Sequence, residues 1–437
     1  MSSIINILLA ILVISVVIIF HEFGHFLLAK ANGIEVVEFS LGMGPRILSK
    51  KIGKTRYSWK LFPLGGSCQM LGEDEGSDEP GSFNSKNVWQ RISVVLAGPV
   101  FNFILAFGLA AIIIGYLGID TPYVGEVDEQ VAAQTDLQPG DIIKKYNGHS
   151  ISMGRELSLY EQLDGIENET ITLVVERDGK EIELSYEPVQ AAQYYIGITY
   201  SVDPNTETPM TLSGVTRDGA AEKAGLAEGD VITAVGEQKI TSGKQFSEYM
   251  DAHPLDGGEV TLTYERDGKE KTVTLTPKFS ESYSLGFAYN VNGREKQSAL
   301  GVVKYSALEL KYWIKATVKS LGYMLQGKAS SEDIGGPVRV VSEMSDVVEE
   351  SYSTDGALFA ALNLINWAIL LSANLGVMNL LPIPALDGGR LLFFIIEVIR
   401  GKKMDPNKEG FIHFVGFVLL MILMVFIFFN DIRNLIH

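Results

Sequence analysis

The sequence predicts a polytopic α-helical membrane protein with four transmembrane helices and two β-rich modules held outside the lipid. Three observations lead there: four long apolar runs, an internal repeat of fixed offset, and a lopsided charge distribution. Of 437 residues, 46% are hydrophobic and 20% charged, too apolar for a disordered chain and unusual for a soluble one. The net charge is −17, and residues 121–290 carry all of it, with 13 Lys+Arg against 30 Asp+Glu. The remainder balances at 23 against 23. That distribution argues against a nucleic-acid partner. The single cysteine, Cys68, excludes an intramolecular disulfide framework and a cysteine-built zinc site.

A bilayer core takes about 20 residues of helix to cross. Residues 93–119, 358–381 and 411–429 meet that length. So does the run 4–20, which continues through Phe26 to Ala29. It lacks the basic start and small-residue cleavage site of a secretory signal, and it leads into His21-Glu22-Phe23-Gly24-His25. Charge orients the four helices. Seven basic residues (Lys30, Arg46, Lys50, Lys51, Lys54, Arg56, Lys60) follow the first helix, and Arg390, Arg400, Lys402, Lys403 and Lys408 separate the third from the fourth. The positive-inside rule makes both segments cytoplasmic. Both termini and the acidic region then face outside.

Within 121–290 the repeat has an offset of 89. Leu137, Gly140-Asp141 and Ile142 recur as Leu226, Gly229-Asp230 and Val231. Glu176-Arg177-Asp178-Gly179-Lys180-Glu181 recurs as Glu265-Arg266-Asp267-Gly268-Lys269-Glu270, and Gly125 pairs with Gly214. Asp-Gly between β-rich runs is a hairpin signal. The order of these pieces resembles tandem PDZ domains of the bacterial protease type. Asn147-Gly148 fits that pattern, whereas Gly236-Glu237 replaces it in the second copy. Ligand-binding modules and rigid spacers both satisfy the pattern. The expected organisation is a membrane half at 1–120 with a β segment at 34–72, modules at 121–203 and 204–290, an amphipathic membrane-surface segment at 298–345, and a second membrane half at 355–437. Lys311, Lys315 and Lys319 recur every four residues and so share one helical face. A helix on the membrane surface or one packed on a domain would show the same spacing.

His21 and His25 lie four apart, hence on one helix face, where they can share a metal ion. Glu22 sits beside the first of them, in the zinc-hydrolase pattern H-E-x-x-H. Ionisable groups in a span need a partner or a cavity, so a functional site is the default reading. A catalytic zinc usually takes a third protein ligand. Glu22 lies roughly 27 Å along a helix begun at Ile4, in the inner half of the bilayer. Near the inner end of the third helix come Asn379, Pro382, Pro384, Asp387, Gly388 and Gly389. The prolines break the helix, and Asp387 follows at a depth matching the histidines. It is the natural third ligand; an aspartate capping the next helix is the plain alternative.

HEFGH on the first span, Asn379-x-x-Pro382-x-Pro384-x-Leu386-Asp387-Gly388 on a later one, and PDZ-like modules between them resemble the site-2 protease family of intramembrane zinc metalloproteases. The bacterial regulator-of-sigma-E protease type is the most similar. Gly42-Met43-Gly44-Pro45, Pro63-Leu64-Gly65-Gly66 and Ala97-Gly98-Pro99-x-x-Asn102 support the likeness. Arg339 departs from it, standing where the family often has glycine. The resemblance implies one Zn2+ per chain on His21, His25 and Asp387, with Glu22 as general base and acid. It implies substrate contacts at Asn379, Pro382, Pro384, Gly65 and Gly66. It also implies that the strand-patterned run 56–66 forms a membrane-associated β-hairpin whose edge receives an unwound substrate. The partners would be transmembrane proteins or remnant signal peptides and the bilayer itself, in a bacterial plasma (inner) membrane. A non-catalytic scaffold binding protein C-termini would lack one of the four site residues, and a metal transporter would need further buried ligands along a pore. Neither expectation matches the sequence.

Overall fold

In a computed structural model the described residues are 3–73, 79–200, 208–217, 219–290, 293–328 and 335–436. The boundary expected at 203–204 lies outside them. The chain falls into two compact units, one of Met1–Thr121, Ser152–Leu163 and Asn292–His437, the other of Pro122–Ile151 and Asp164–Val291. Among the described residues, four helices are long and apolar enough to cross a membrane.

The first unit opens with α1 (Ser3–Ala31), which carries the two histidines. Strands β1 (Val36–Ile52) and β2 (Thr55–Met70) follow, and each folds back on itself. Residues 36–41 pair on one side with 66–70 (Phe39↔Cys68, Leu41↔Gly66) and on the other with 56–59 (Phe39↔Tyr57, Leu41↔Trp59). The latter segment also pairs with 48–52 through Leu48↔Trp59 and Lys50↔Tyr57. The hairpin is therefore a curled sheet of four segments, with 66–70 and 48–52 at its two edges. Arg46 donates to Glu38 with both arms of its guanidinium, at 2.8 and 2.7 Å, and holds that carboxyl down at about 2. Met43, Ile47, Leu48, Trp59 and Phe62 are exposed on this sheet.

Helix α2 (Val88–Leu117) begins five residues before the apolar run at 93. The cause is a capping box: Asn87 accepts from the Gln90 N–H at 2.9 Å, and the Gln90 side chain accepts from the Asn87 N–H at 3.3 Å. Strand β3 (Ile119–Asp120) follows it.

The repeat then builds the same elements twice. The first copy runs β4 (Val124–Val127), α3 (Glu129–Ala132), β5 (Ile142–Tyr146), β6 (His149–Ser150), α4 (Gly154–Asp164), β7 (Ile171–Arg177), β8 (Lys180–Tyr186), β9 (Val189–Tyr195) and β10 (Ile198–Tyr200). The second runs β11 (Met210–Val215), α5 (Ala220–Lys223), β12 (Val231–Val235), β13 (Gln238–Lys239), α6 (Gly243–Ala252), β14 (Val260–Arg266), β15 (Lys269–Leu275), β16 (Lys278–Ser284) and β17 (Phe287–Tyr289). Gly236 takes φ +58 and closes a two-residue hairpin, Val235↔Gln238, as Asn147-Gly148 does for Tyr146↔His149. The two Asp-Gly turns behave alike, with Asp178 at φ 52 and Asp267 at φ 55.

The repeated motifs meet in space. Arg177 donates to Asp141 at 2.7 Å, and Arg266, 89 residues on, to Asp230 at 2.6 Å. Each aspartate also accepts a backbone N–H three residues before it, from Gln138 and Ala227. Burial would raise Asp230, but the Arg266 fork overrides it and holds the carboxyl below its ordinary range. Met210, Leu212, Ile232, Phe246 and Leu262 form the core of the second copy.

The last strands of the copies are exchanged. Strand β10 pairs with β11 (Ile198↔Val215), and β17 pairs with β4 (Phe287↔Val127). Between them β9 and β16 run antiparallel with Ala192 opposite Glu281 at the centre of the ladder. Those two residues are related by the repeat offset, so the pairing has a local two-fold axis.

Returning to the first unit, β18 (Arg294–Glu295) pairs with β3. Helix α7 (Ala299–Leu325) is amphipathic, as its lysine spacing predicts, and part of its apolar surface packs on protein: Val302, Tyr305, Leu310 and Trp313 join Ala106 and Ile113 of α2, while Leu300, Val303 and Val318 stay exposed. Helix α8 (Pro337–Thr354) starts at the Gly336-Pro337 motif. There the N–H groups of Gly336, Val338 and Arg339 donate to Asp431 at 2.9, 3.1 and 3.2 Å. Helices α9 (Ala357–Asn379), α10 (Asp387–Arg400) and α11 (Pro406–Ile436) complete the chain, Asp431 lying on α11. Leu362, Ile369 and Ala373 of α9 close the same apolar cluster as α7. Helix α9 stops three residues short of Pro382, which restricts the backbone before it.

Candidate metal centre

Helix periodicity puts His21 and His25 on one face of α1, and α10 brings Asp387 to them. Asp387 is the first residue of α10, with Leu386 as the N-cap, so the positive helix end favours its carboxylate there. Gly388 lets the chain turn so tightly, since a Cβ on it would sit 2.1 Å from the Leu381 carbonyl oxygen. His21 Nε2 and His25 Nε2 are 3.1 Å apart, and Asp387 Oδ2 lies 3.2 and 3.4 Å from them. These three are the one such group of potential metal ligands among the described residues.

The outer ring nitrogens bear on the tautomers. His25 Nδ1 is 2.8 Å from the Val94 carbonyl oxygen, an acceptor only, so Nδ1 carries the proton and the Nε2 lone pair is free. His21 Nδ1 is 3.2 Å from Asn102 Nδ2, an amide whose nitrogen and oxygen are interchangeable by a flip. With the amide oxygen turned to that N–H, the buried Asn102 Oδ1 gains the partner it otherwise lacks and His21 Nε2 is freed as well. Asp387 Oδ2 is buried without a hydrogen bond, directed at the same point. Gly98 of α2 leaves the room: a Cβ on it would stand 2.4 Å from His25 Nε2 and 2.7 Å from His21 Cε1. Two imidazole nitrogens and a carboxylate oxygen converging on one small space fit a zinc ion.

Glu22 faces a cavity of about 890 Å³, whose wall also carries His21, His25, Asp387, Asn379 and Arg390. The wall does not include Gly65, Gly66, Pro382 or Pro384. Gly66 lies behind Glu22, its Cβ position 3.1 Å from Glu22 Cγ, and Gly65 turns at φ +99 against Met43. Pro382 and Pro384 shape the turn between α9 and α10. Ser67, Cys68 and Met70 of the 66–70 edge line the cavity. Burial, and then the Glu22 and Glu73 carboxylates, push the Cys68 thiol up, so it stays protonated and a poor ligand.

Residue patterns did not single out the roles of Asn102, the Val94 carbonyl, or the ion pair of Arg390 with Glu73 on the cavity wall. Asn102 had a usable signal, being an amide inside an apolar run. Glu73 had none, because an acid after a strand looks like any loop residue.

Two histidines and a carboxylate poised for a metal, with a free glutamate beside them on membrane helices, define a metal-dependent hydrolase built into a membrane. Comparison with known proteins then narrows the class: residues 9–423 match the pattern of peptidase family M50, and the chain belongs to that family. It is a zinc metalloendopeptidase acting within a bacterial membrane. It is 32% identical over 452 residues to zinc metalloprotease RasP of Geobacillus kaustophilus, covering 97% of each chain. It is 31% identical over 458 residues to the regulator of sigma-E protease RseP of Salmonella typhimurium, covering 98% of this chain and 99% of that one. A further RasP, from Oceanobacillus iheyensis, is 30% identical over 446 residues, covering 97% and 98%.

Proposed function

We propose that this peptidase cuts transmembrane segments of single-span proteins whose outer domains have already been shortened, membrane-anchored anti-sigma factors or remnant signal peptides being the candidate classes. The observation that carries the reading is the convergence of His21, His25 and Asp387 with Glu22 at the cavity. His21, His25 and Asp387 hold one zinc ion. Zinc, when bound, lowers the pKa of water and polarises a carbonyl. Glu22 takes the proton of the attacking water and returns it to the leaving amine. Asn379 on the cavity wall contacts the substrate backbone, and the turn through Pro382 and Pro384 borders its path. A helical substrate hides its peptide bonds, so the edge of β2, reached past Gly65 and Gly66, pairs with the unwound stretch and satisfies groups that lipid cannot.

The protein lies in the plasma (inner) membrane with both termini outside. The acidic modules are extracytoplasmic PDZ-like domains that filter substrates, and α7 and α8 lie near the outer membrane surface. The repeated strand order and basic loops support this arrangement. The test compares wild type with Glu22→Gln in detergent, using a tagged transmembrane substrate and counting zinc. The expected result is one zinc per chain in both and cleavage slowed by about 10²–10⁴-fold in the variant. Undiminished cleavage would sink the mechanism.

A further inference from the structure

Asp387 reaches the histidines by way of a turn with an unusual backbone. Ala385 takes φ +80, a region that side-chain-bearing residues avoid. Two residues later comes Asp387. Something outside the turn must hold Ala385 there, since its own sequence favours another conformation.

Helix α11 supplies the hold. The Ala385 N–H donates to His413 Nδ1 at 2.9 Å. An acceptor Nδ1 means that the imidazole is neutral and carries its proton on Nε2. The ring stands edge-on to Phe393 of α10, centroids 5.5 Å apart at 72°, which fixes its plane. One turn further along the same face, Gly416 has no side chain, and Pro384 fills the space: a Cβ on Gly416 would lie 2.5 Å from Pro384 Cβ. His413 and Gly416 are three apart, so they grip consecutive residues of the turn from one helix face.

We propose that His413 is a positioning residue of the metal centre: by accepting the Ala385 N–H it holds the strained turn that delivers Asp387 to His21 and His25. This rests on the assignment of Asp387 as a ligand. Without the acceptor, Ala385 relaxes toward negative φ, and the start of α10 rotates the carboxylate away from the two Nε2 atoms. Nothing about His413 is specific to imidazole chemistry in this role. Any side chain with an acceptor one bond beyond Cγ serves. Asparagine places its Oδ1 where Nδ1 stood, whereas glutamine places its amide near Nε2 and misses the N–H.

The experiment measures zinc release to a chelator and substrate cleavage for the full chain in detergent, with His413→Asn, His413→Gln and His413→Leu beside wild type. Melting temperatures are recorded for each. We expect release about 10-fold faster in the Gln and Leu variants, the usual size for losing a partner outside the ligand shell, with His413→Asn within twofold of wild type. Cleavage should follow the same order at unchanged KM. The proposal is overturned if Asn behaves like Leu, which makes the ring a packing element, or if Gln and Leu hold zinc as wild type does. Asp387→Ala, run alongside, separates the two claims. If that protein still holds zinc like wild type, the ligand assignment fails and the positioning role falls with it. If it loses zinc and the His413→Gln protein does not, the positioning role alone falls.

Discussion

The two copies of the repeat contain the same helix at the same offset, α4 at Gly154 and α6 at Gly243, and the two helices face different surroundings. Leu157, Leu159 and Tyr160 of α4 are buried. Arg155 pairs with Glu309 of α7 and with Asp120, Trp313 donates to the same Glu309 at 2.9 Å, and Lys315 and Lys319 stand over the Tyr160 ring. In α6 the residues at the matching positions are Lys244, Phe246, Glu248 and Tyr249. Phe246 keeps the core position, but Lys244 and Glu248 are exposed. The replacement of Leu159 by Glu248 separates a helix covered by its neighbours from one facing water. The repeat supplies one helix twice, and substitution on one face lets the first copy's helix pack with α7 inside the first unit.

The comparison can be broken where the copies agree. Asp141→Ala and Asp230→Ala each remove the buried carboxylate of the same clamp; Arg177 keeps an exposed ion pair to Asp136 that contributes little, and each change should cost about 3 kcal/mol. Chemical denaturation of the intact protein should show equal losses; a large loss in only one would mean the clamp is not a shared element. The difference between copies is sharpened by Arg155→Met against Lys244→Met. The first removes the ion pairs to Glu309 and Asp120, leaving Arg294 as the cation that still faces both, and should cost about 2 kcal/mol. The second removes an exposed charge and should stay within about 0.5 kcal/mol. Similar melting shifts would erase the distinction between α4 and α6. The smallest effect concerns acid. Asp230 is held below its ordinary carboxylate range in the fold, so its contribution is complete above the unfolded value near 3.9. It is lost as pH falls through the lower folded value. Asp230→Asn should therefore flatten the stability profile below about pH 4, readable in acid titration followed by circular dichroism.

Much of this architecture was legible in the residues. The spans follow from apolar length, and the meeting of His21, His25 and Asp387 from helix spacing plus the depth of Asp387. The clamp was foreshadowed by two motifs at one offset, although only the fold shows that each arginine reaches its own aspartate. The curled sheet was not legible. A strand folding back at residues 42–45 and 61–65 leaves the alternation of a plain hairpin, and pairing partners are long-range. Strand exchange was hidden for a related reason: with identical modules, a terminal strand satisfies either copy, and the offset alone cannot choose. The start of α2 was missed because its cap is polar and lies upstream of the apolar run. His413 gave no sign, since its partner is a backbone N–H.

The exchanged strands bear on inheritance. A module that borrows its last strand from its neighbour cannot be moved alone by recombination, because either piece would carry an open sheet edge and lose a strand the other holds. The pair must travel together. A cut in the chain between the copies would likewise leave two fragments, each needing the other in order to close. Once β10 and β17 had traded places, the two copies were bound to evolve as one heritable part, free to diverge at α4 and α6 but not to separate.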